Sequence, residues 1–126
     1  MVLSDKFYEV VAHEGVVSIV SWNGKDAPHI TNTWNSYLVI KDDERILIPA
    51  AGLTSTKADV EHNDQVLVTL GAREVEGFNG YQGTGFKLEG TAKFYAEGAD
   101  FEETKEKYPF AREVLVIRPS SAKQLL

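Results

Sequence analysis

PHITNTWNSY, residues Pro28–Tyr37, combines the β-branched content of a strand with a run of polar side chains and an indole. Thr31, Asn32 and Thr33 follow one another directly, and Trp34 comes next. A buried polar group costs free energy unless it is hydrogen-bonded, so a strand that only formed a core would not carry this run in its middle. The segment alone favours a sheet edge whose polar residues meet water, with Trp34 in the core. The alternative is a binding surface for a ligand that is polar at one end and flat and aromatic at the other.

Turn signals on either side of this segment divide the chain into strands. Six strands are predicted, over Val16–Trp22, Pro28–Ile40, Arg45–Ala51, Gln65–Leu70, Thr84–Tyr95 and Val114–Ile117. Pro49 predicts an edge or bulge position in the third strand, and Pro119 predicts the end of the sixth. Three short helices are predicted, over Leu3–Ala12 with Ser4 as its cap, Thr54–Asn63 and Ala99–Tyr108. This pattern favours a mainly-β fold, a small antiparallel barrel with a few short flanking helices, over a parallel α/β sheet.

The segment PAAGLTSTKADVEHN, residues Pro49–Asn63, is a second candidate for ligand binding. It begins with small residues that would let a flat ring approach the backbone closely, namely Pro49, Ala50, Ala51 and Gly52. Hydroxyl residues then crowd a predicted helix start, where free N–H groups and a partial positive charge favour phosphate. These residues are Thr54, Ser55 and Thr56, and Lys57 adds a positive charge.

Two interpretations of this helix start remain open from the residues. Thr56 and Asp59 have the spacing of a capping box, so the segment alone favours an ordinary capped helix after a turn. Together with Asn32 and Thr33, however, the hydroxyl cluster favours a site for a phosphorylated flavin. A phosphorylated flavin is polar at one end and flat and aromatic at the other, as the first segment requires.

Composition excludes several classes of protein. A chain of 126 residues has the length of a single domain, here residues 1–126. The net charge of -6 argues against nucleic acid as the main partner, and no apolar stretch approaches the roughly 20 residues that span a membrane. The absence of cysteine and of a secretory leader pattern predicts a cytoplasmic protein without disulfides. No metal site is expected, because His13, His29 and His62 lack metal-ligand spacing and are interpreted as structural or surface residues.

Taken together, these segments resemble the small FMN-binding proteins of the pyridoxamine-phosphate-oxidase-like split β-barrel superfamily. The resemblance runs nearly from end to end, and NTWNSY followed by the small-residue loop and the helix start is its most specific part. The matching segments are Glu14–Val20, Pro28–Leu38, Arg45–Gly52, Thr54–Val60, Val66–Gly80, Gly83–Phe94, Phe110–Ile117 and Ser121–Leu126. The fold that the resemblance implies is a six-stranded antiparallel split β-barrel.

The resemblance also implies a homodimer with one non-covalent FMN per subunit near the interface. The phosphate would lie against the polar part of NTWN and the helix start, and the isoalloxazine against Trp34 and the backbone of Pro49–Gly52. Phe110 and Leu126 would approach the flavin from the partner subunit. The implied cofactor-binding residues are Asn32, Thr33, Trp34, Asn35, Pro49, Ala50, Ala51, Gly52, Ser55, Thr56, Lys57, Phe110 and Leu126. The family often has Lys-Thr at the helix start, whereas this chain has Ser55-Thr56 and places its lysine two residues later.

The function implied is that of a flavoprotein in electron transfer or flavin-dependent redox chemistry, with an unidentified redox partner. The alternative is a non-catalytic binding module for a flat cofactor, which stores FMN or holds haem or a deazaflavin. No side chain resembles a general acid or base, which suits electron or hydride transfer. Pyridoxal-phosphate recognition is not implied, because the basic substrate-binding residues of the true oxidases find no match here.

Overall fold

The computed structural model describes every residue from Met1 to Leu126. Its strands are β1 (Val16–Ser21), β2 (His29–Trp34), β3 (Val39–Ile40), β4 (Ile46–Ala50), β5 (Gln65–Glu76), β6 (Gln82–Tyr95) and β7 (Glu113–Gln124). Its helices are α1 (Asp5–Val11), α2 (Thr54–His62) and α3 (Ala99–Lys107). The strands form one antiparallel sheet of seven in the order β2-β1-β5-β6-β7-β4-β3. The mainly-β antiparallel fold expected from the sequence is confirmed, with seven strands instead of six.

The main core is enclosed by the sheet together with α1 and α2. Alternate residues of a strand point to one face of a sheet, and in β1 this places Val17 and Ile19 in the core. Phe7 and Val10 of α1 are fully buried, and the Phe7 ring packs edge-on against Phe86 at 5.5 Å between centroids. The predicted cap of α1 is confirmed, because Ser4 Oγ accepts a hydrogen bond from the Phe7 N–H at 3.2 Å.

The predicted strand Pro28–Ile40 is wrong as a single element. The structure ends β2 at Trp34, continues with a 3₁₀ turn over Asn35–Tyr37, and begins the short β3 at Val39. The physical reason is the Asn35 amide, which turns inward and donates to the carbonyls of His13 at 2.9 Å and Gly71 at 3.1 Å. These bonds draw the chain out of the extended conformation, and the split accounts for the seventh strand.

The predicted stop at Pro119 is also wrong, because β7 continues to Gln124. The pairing of β6 with β7 shifts register between Glu89 and Gly90, where Gly90 lies opposite Pro119 and Glu89 lies opposite Ser121. Proline lacks an N–H donor and is tolerated in a sheet at such a bulge. The edge position predicted for Pro49 is confirmed, since β3 pairs with β4 only as far as Leu47 while β7 pairs beyond it.

The helices cover the sheet at separate places. α2 contacts β1, β2 and β6, whereas α3 contacts β4 and β7. None of the helices combines the length and the apolar character that crossing a membrane requires. The position of α2 matters for the site, because its first turn lies beside the edge strand β2.

Candidate functional site

A cavity of about 220 Å³ lies between β2 and the start of α2. Its walls are His29, Ile30 and Thr31 on β2 and the segment Gly52–Thr56. Gly52 has φ +79°, a left-handed conformation that L side chains rarely adopt, and it turns the chain from β4 into the helix. The structure therefore brings the predicted residues Gly52, Ser55 and Thr56 to one cavity with the first half of β2.

The first turn of α2 leaves hydrogen-bond donors open towards this cavity. The N-cap residue Leu53 offers no side-chain acceptor, and the first helical bond runs from the Lys57 N–H to the Leu53 carbonyl at 2.9 Å. The backbone N–H groups of Thr54, Ser55 and Thr56 make no hydrogen bond within the chain. Free N–H groups and the partial positive charge of a helix start together favour an anion. The capping box suggested by Thr56 and Asp59 is wrong, because Asp59 bonds elsewhere.

Asp59 is buried on the inner side of α2 and holds groups from β1 and β2. Its carboxylate accepts from the Ser21 hydroxyl at 2.7 Å and from Asn23 Nδ2 at 3.2 Å, and lies 2.7 Å from His29 Nδ1. Burial acts to raise the pKa of Asp59, but the hydrogen bonds from His29, Ser21 and Asn23 outweigh it and hold this pKa below its ordinary value. The Asp59 carboxylate thus stays ionised and fixes the orientation of the His29 ring at the cavity.

Trp34 lies at the other end of β2. Its side chain is 47% exposed, so the interpretation that places it in the core is wrong. A shallow cavity of about 330 Å³ lies beside it, lined by Glu14, Trp34, Ser36 and Tyr37. Glu14 accepts from the Ser36 hydroxyl at 2.7 Å and from its N–H at 3.1 Å, and these bonds hold the pKa of Glu14 below its usual value.

The middle of β2 connects these two cavities. Asn32 donates to the Ser18 hydroxyl at 2.9 Å, across the strand pair that joins β2 to β1. Thr33 is half-buried and lies on the face of β2 that also carries His29 and Thr31. A six-residue strand spans roughly 17 Å at about 3.4 Å per residue. Because Trp34 lies on the opposite face of β2 from His29 and Thr31, a ligand that contacted both cavities would be elongated and would run along the free edge of this strand.

An aromatic cluster borders the Trp34 end of this surface. The ring centroids of Tyr37 lie 5.1 Å from Tyr108 and 5.7 Å from Phe110, and the Tyr108 hydroxyl donates to the Ser36 carbonyl at 3.0 Å. The loop after α3 is thereby held against the turn that follows Trp34. Phe110 is half exposed and belongs to the same subunit as the Tyr37 that it contacts.

The remaining predicted residues lie in three different settings. Pro49 and Ala50 are buried at the end of β4, whereas Ala51 is exposed next to Gly52. Asn35 is buried and its amide bonds only to carbonyls of this chain. Lys57 does not line the cavity at the start of α2.

Lys57 is committed to an ion pair instead. Its ammonium lies 2.8 Å from the Glu113 carboxylate, and the hydrogen bond to Glu113 raises the pKa of Lys57. The side chain lines a different cavity, of about 410 Å³, between α2 and the strands β6 and β7. No lysine or arginine lines the cavity at the start of α2, and His29 is its one titratable residue.

Leu126 lies away from Trp34 within one subunit. Its carbonyl accepts from the Phe78 N–H at 3.2 Å and from the Thr84 hydroxyl at 2.8 Å. It follows β7, which is separated from β2 by β1, β5 and β6 in the sheet. The Leu126 side chain is half exposed, as are those of Phe78 and Tyr81 nearby in the chain.

His29 and Asp59 are the residues of this region that the sequence interpretation did not assign to the site. His29 was interpreted as a structural or surface residue, and the spacing of Thr56 and Asp59 suggested a capping box. Their contact could not be predicted from a local motif, because the two residues are 30 positions apart in the sequence. The usable signal was the position of His29 two residues before the polar run of β2.

Comparisons with known proteins agree along the whole chain. The sequence pattern of the pyridoxamine 5'-phosphate oxidase family matches residues 3–126. An FMN-binding protein of Nitratidesulfovibrio vulgaris (strain DSM 19637 / Miyazaki F) is 46% identical over 124 residues, which cover 98% of this chain and 99% of that protein.

Solved structures with lower identity share the fold. HupZ of Group A Streptococcus has a TM-score of 0.79 at 17% identity and covers 98% of this chain and 94% of its own. An FMN-binding protein of Syntrophomonas wolfei subsp. wolfei has a TM-score of 0.69 at 14% identity, covering 87% of this chain and 76% of its own. The family pattern includes β2, the start of α2 and the C-terminal strand, so it takes in every element that borders the two cavities. By sequence and by fold, the chain belongs to the pyridoxamine 5'-phosphate oxidase family.

Proposed function

We propose that this protein is a flavoprotein that binds one FMN per subunit without a covalent bond and uses it in electron transfer or another flavin-dependent redox reaction. The observation that carries the proposal is the cavity at the start of α2, where unbonded N–H groups and hydroxyls converge beside β2. The relative that is 46% identical is named an FMN-binding protein, which supports the same ligand for this chain.

The chemistry of the donors at this cavity fits a phosphate monoester. The oxygens of a phosphate monoester accept hydrogen bonds, so its site must supply donors. The cavity supplies them as free backbone N–H groups and as the hydroxyls of Thr31, Ser55 and Thr56. Charge-assisted hydrogen bonds of this kind are roughly twice as strong as neutral ones. The phosphate would therefore be held mainly by the first turn of α2 and by Thr31.

The flavin ring would lie further along β2, between Trp34 and the loop Ala51–Gly52. Trp34 supplies an exposed indole face, and the exposed backbone of Ala51 and Gly52 has no large side chain to keep a ring away. Asn32 and Thr33 lie on β2 between the two cavities, and this position supports their proposed contacts with the ligand. Asn35 would not contact the flavin directly. Its amide holds the turn that follows Trp34 and so would fix the position of the Trp34 indole.

When bound, FMN supplies the reversible uptake of electrons, and the protein supplies binding, orientation and electrostatics. The residues that line the Trp34 cavity include one carboxylate, Glu14, which is already hydrogen-bonded to Ser36. The cluster of Tyr37, Tyr108 and Phe110 would keep water from one side of the ring. These roles suit a redox carrier in which the protein donates no proton.

The phosphate assignment predicts a difference between two flavins. Apo-protein titrated with FMN and with riboflavin should bind riboflavin at least about tenfold more weakly, because riboflavin makes no charge-assisted bonds at the start of α2. Flavin fluorescence or calorimetry measures both constants. Equal affinities would mean that the phosphate does not occupy this cavity, whereas no binding of either flavin would reject the proposed cofactor.

Reduction of the bound flavin separates the redox role from storage. A redox protein should exchange electrons reversibly, so dithionite should bleach the yellow holo-protein and an added acceptor should restore the colour over repeated cycles. Bleaching by a nicotinamide donor at a catalytic rate would identify an oxidoreductase. Release of the flavin on reduction, with no transfer to any acceptor, would favour FMN storage.

We also propose that the protein is a homodimer. Phe78, Tyr81, Leu125 and Leu126 are each about half exposed, and large apolar groups gathered at one end of a sheet favour a protein partner. Because Leu126 lies away from Trp34 in its own subunit, contact between Leu126 and a flavin would require a second subunit.

Light scattering tests this assembly directly. The holo-protein should have about twice the chain mass of 14.0 kDa at micromolar concentration. Leu126→Asp should weaken the dimer and FMN binding together, whereas Ala96→Asp, at an exposed position in the bend after β6, should change neither. A monomeric wild-type protein would remove Phe110 and Leu126 from any role across an interface.

A further inference from the structure

The cavity at the start of α2 has no fixed positive charge on its walls. Its lining consists of backbone, hydroxyl and apolar groups, with His29 as the one residue that can become a cation. Lys57, the nearest lysine in the sequence, is paired with Glu113 on another side of the helix. A phosphate monoester carries a charge between -1 and -2 near neutral pH, with a second pKa of about 6. Within this lining, His29 is therefore the one residue that can supply a cationic group to the phosphate.

We propose that His29, held in place by Asp59, donates a hydrogen bond from Nε2 to the phosphate monoester of the ligand, so that the imidazolium form is the binding form. The proposal rests on the proposed function, since it names a further residue of that site. It assigns Asp59 a positioning role and makes phosphate recognition dependent on pH.

The contact with Asp59 determines which ring nitrogen of His29 remains available to a ligand. Nδ1 lies 2.7 Å from the buried Asp59 carboxylate, which only accepts hydrogen bonds, so Nδ1 carries a proton in both charge states of the ring. Nε2 makes no hydrogen bond within the chain, and the His29 side chain is 36% exposed. The neutral ring would present a lone pair at Nε2 and repel phosphate oxygens. The protonated ring presents an N–H and a positive charge. Protonation therefore turns Nε2 from an acceptor that repels phosphate oxygens into a donor that attracts them.

The charged groups around His29 are few. Asp59 on α2 is the one charged group within ion-pair distance of the ring. Asp26, in the loop before β2, does not contact the ring. Its carboxylate accepts a hydrogen bond at 3.3 Å from Asn23, which also donates to Asp59. Opposite His29 in the sheet, β1 contributes the neutral Ser21. Asp59, the one charged group that contacts the ring, is an anion, and no cation lies within ion-pair distance of Asp59 other than His29 itself.

A binding experiment across pH tests the proposal. The ratio of FMN affinity to riboflavin affinity isolates the phosphate, because the flavin ring is common to both ligands. From about pH 8.5 to about pH 6.5, where the FMN phosphate remains mostly dianionic, this ratio should rise by about tenfold in the wild-type protein. The ratio should stay nearly constant over this range in His29→Asn. His62→Asn, which removes an exposed histidine from the far end of α2, should follow the wild type.

A second measurement uses the wild-type protein alone, because His29→Asn removes one partner of the buried Asp59. Nuclear magnetic resonance resolves the imidazole signals of His13, His29 and His62 during a pH titration. With FMN or inorganic phosphate bound, the His29 ring should remain protonated to higher pH than in the apo-protein, and the other rings should not change.

The outcomes distinguish the two proposals. If FMN binds with the same pH dependence in the wild type and in His29→Asn, and the His29 titration is unchanged by FMN, the role of His29 is rejected and FMN binding stands. If the protein binds neither FMN nor riboflavin, the proposed function itself is rejected. If inorganic phosphate leaves the His29 signal unchanged while FMN shifts it, the imidazole contacts another part of the ligand and the phosphate contact is rejected.

Discussion

Replacing Phe7 with Ala should lower the free energy of unfolding by about 3–5 kcal/mol, the range for truncating a buried phenylalanine. Phe7 is fully buried between α1 and the sheet, and its ring contacts Phe86 edge-on at 5.5 Å. The loss includes the transfer of the ring from the core and the cavity that remains. Because domains of this size are stable by about 5–15 kcal/mol, the variant should lose a large part of its total stability.

The control for this variant is the neighbouring residue on the same helix. Tyr8 is 42% exposed, so Tyr8→Ala should change stability by less than about 1 kcal/mol although it removes a larger side chain. Urea titration of both apo-proteins measures the difference. Excess FMN should restore part of the stability of Phe7→Ala by mass action, because the folded state alone has the binding surface. Equal effects of the two substitutions would mean that α1 does not pack as described.

The strands that face the core on alternate residues were the most predictable part of the fold. In β6, Phe86, Leu88 and Ala92 point inward as the sequence alternation indicates, and the predicted Thr84–Tyr95 nearly matches the observed strand. Local pattern suffices there, because one face of the strand meets the core and the other meets solvent. Pro49 was also predictable, since a missing N–H restricts proline to an edge of a sheet.

The breaks and extensions depend on contacts that are distant in sequence. The end of β2 is decided by the Asn35 amide, whose acceptors His13 and Gly71 lie 22 and 36 positions away. The continuation of β7 past Pro119 depends on the bulge opposite Gly90. Neither contact has a signature within its own segment, so the local pattern predicted one strand where there are two and a stop where the strand continues.

The sequence predicted which segments border the candidate site, but not which charged side chains lie there. Hydroxyls at the helix start favoured a phosphate site only together with Asn32 and Thr33, because the segment alone favoured an ordinary capped helix. The structure places Gly52–Thr56 against β2. Lys57 was expected to contribute the positive charge, yet its partner Glu113 lies 56 positions later in the chain and draws it elsewhere. The spacing of Thr56 and Asp59 resembled a capping box, while the side-chain partners of Asp59 are Ser21, Asn23 and His29.

Replacing Trp34 with Ala should weaken FMN binding by about 1–3 kcal/mol, or between about fivefold and 150-fold, while leaving the apo-protein folded. The side chain is 47% exposed, so its removal leaves no internal cavity and should change the free energy of unfolding by about 0.5 kcal/mol or less. An indole face stacked on the isoalloxazine would account for the loss of affinity. The same contact quenches flavin fluorescence, so FMN bound to the variant should be brighter.

The chain contains one other tryptophan, which provides the matched control. Trp22 is half-buried after the end of β1 and lines neither of the two cavities beside β2, so Trp22→Ala should leave the emission of bound FMN unchanged. Trp34→Phe should keep part of the affinity because it retains an aromatic face. Apo-protein melting and holo-protein emission are measured on the same samples. A large drop in apo melting with unchanged emission per bound flavin would make Trp34 a structural residue and would move the isoalloxazine away from this end of β2.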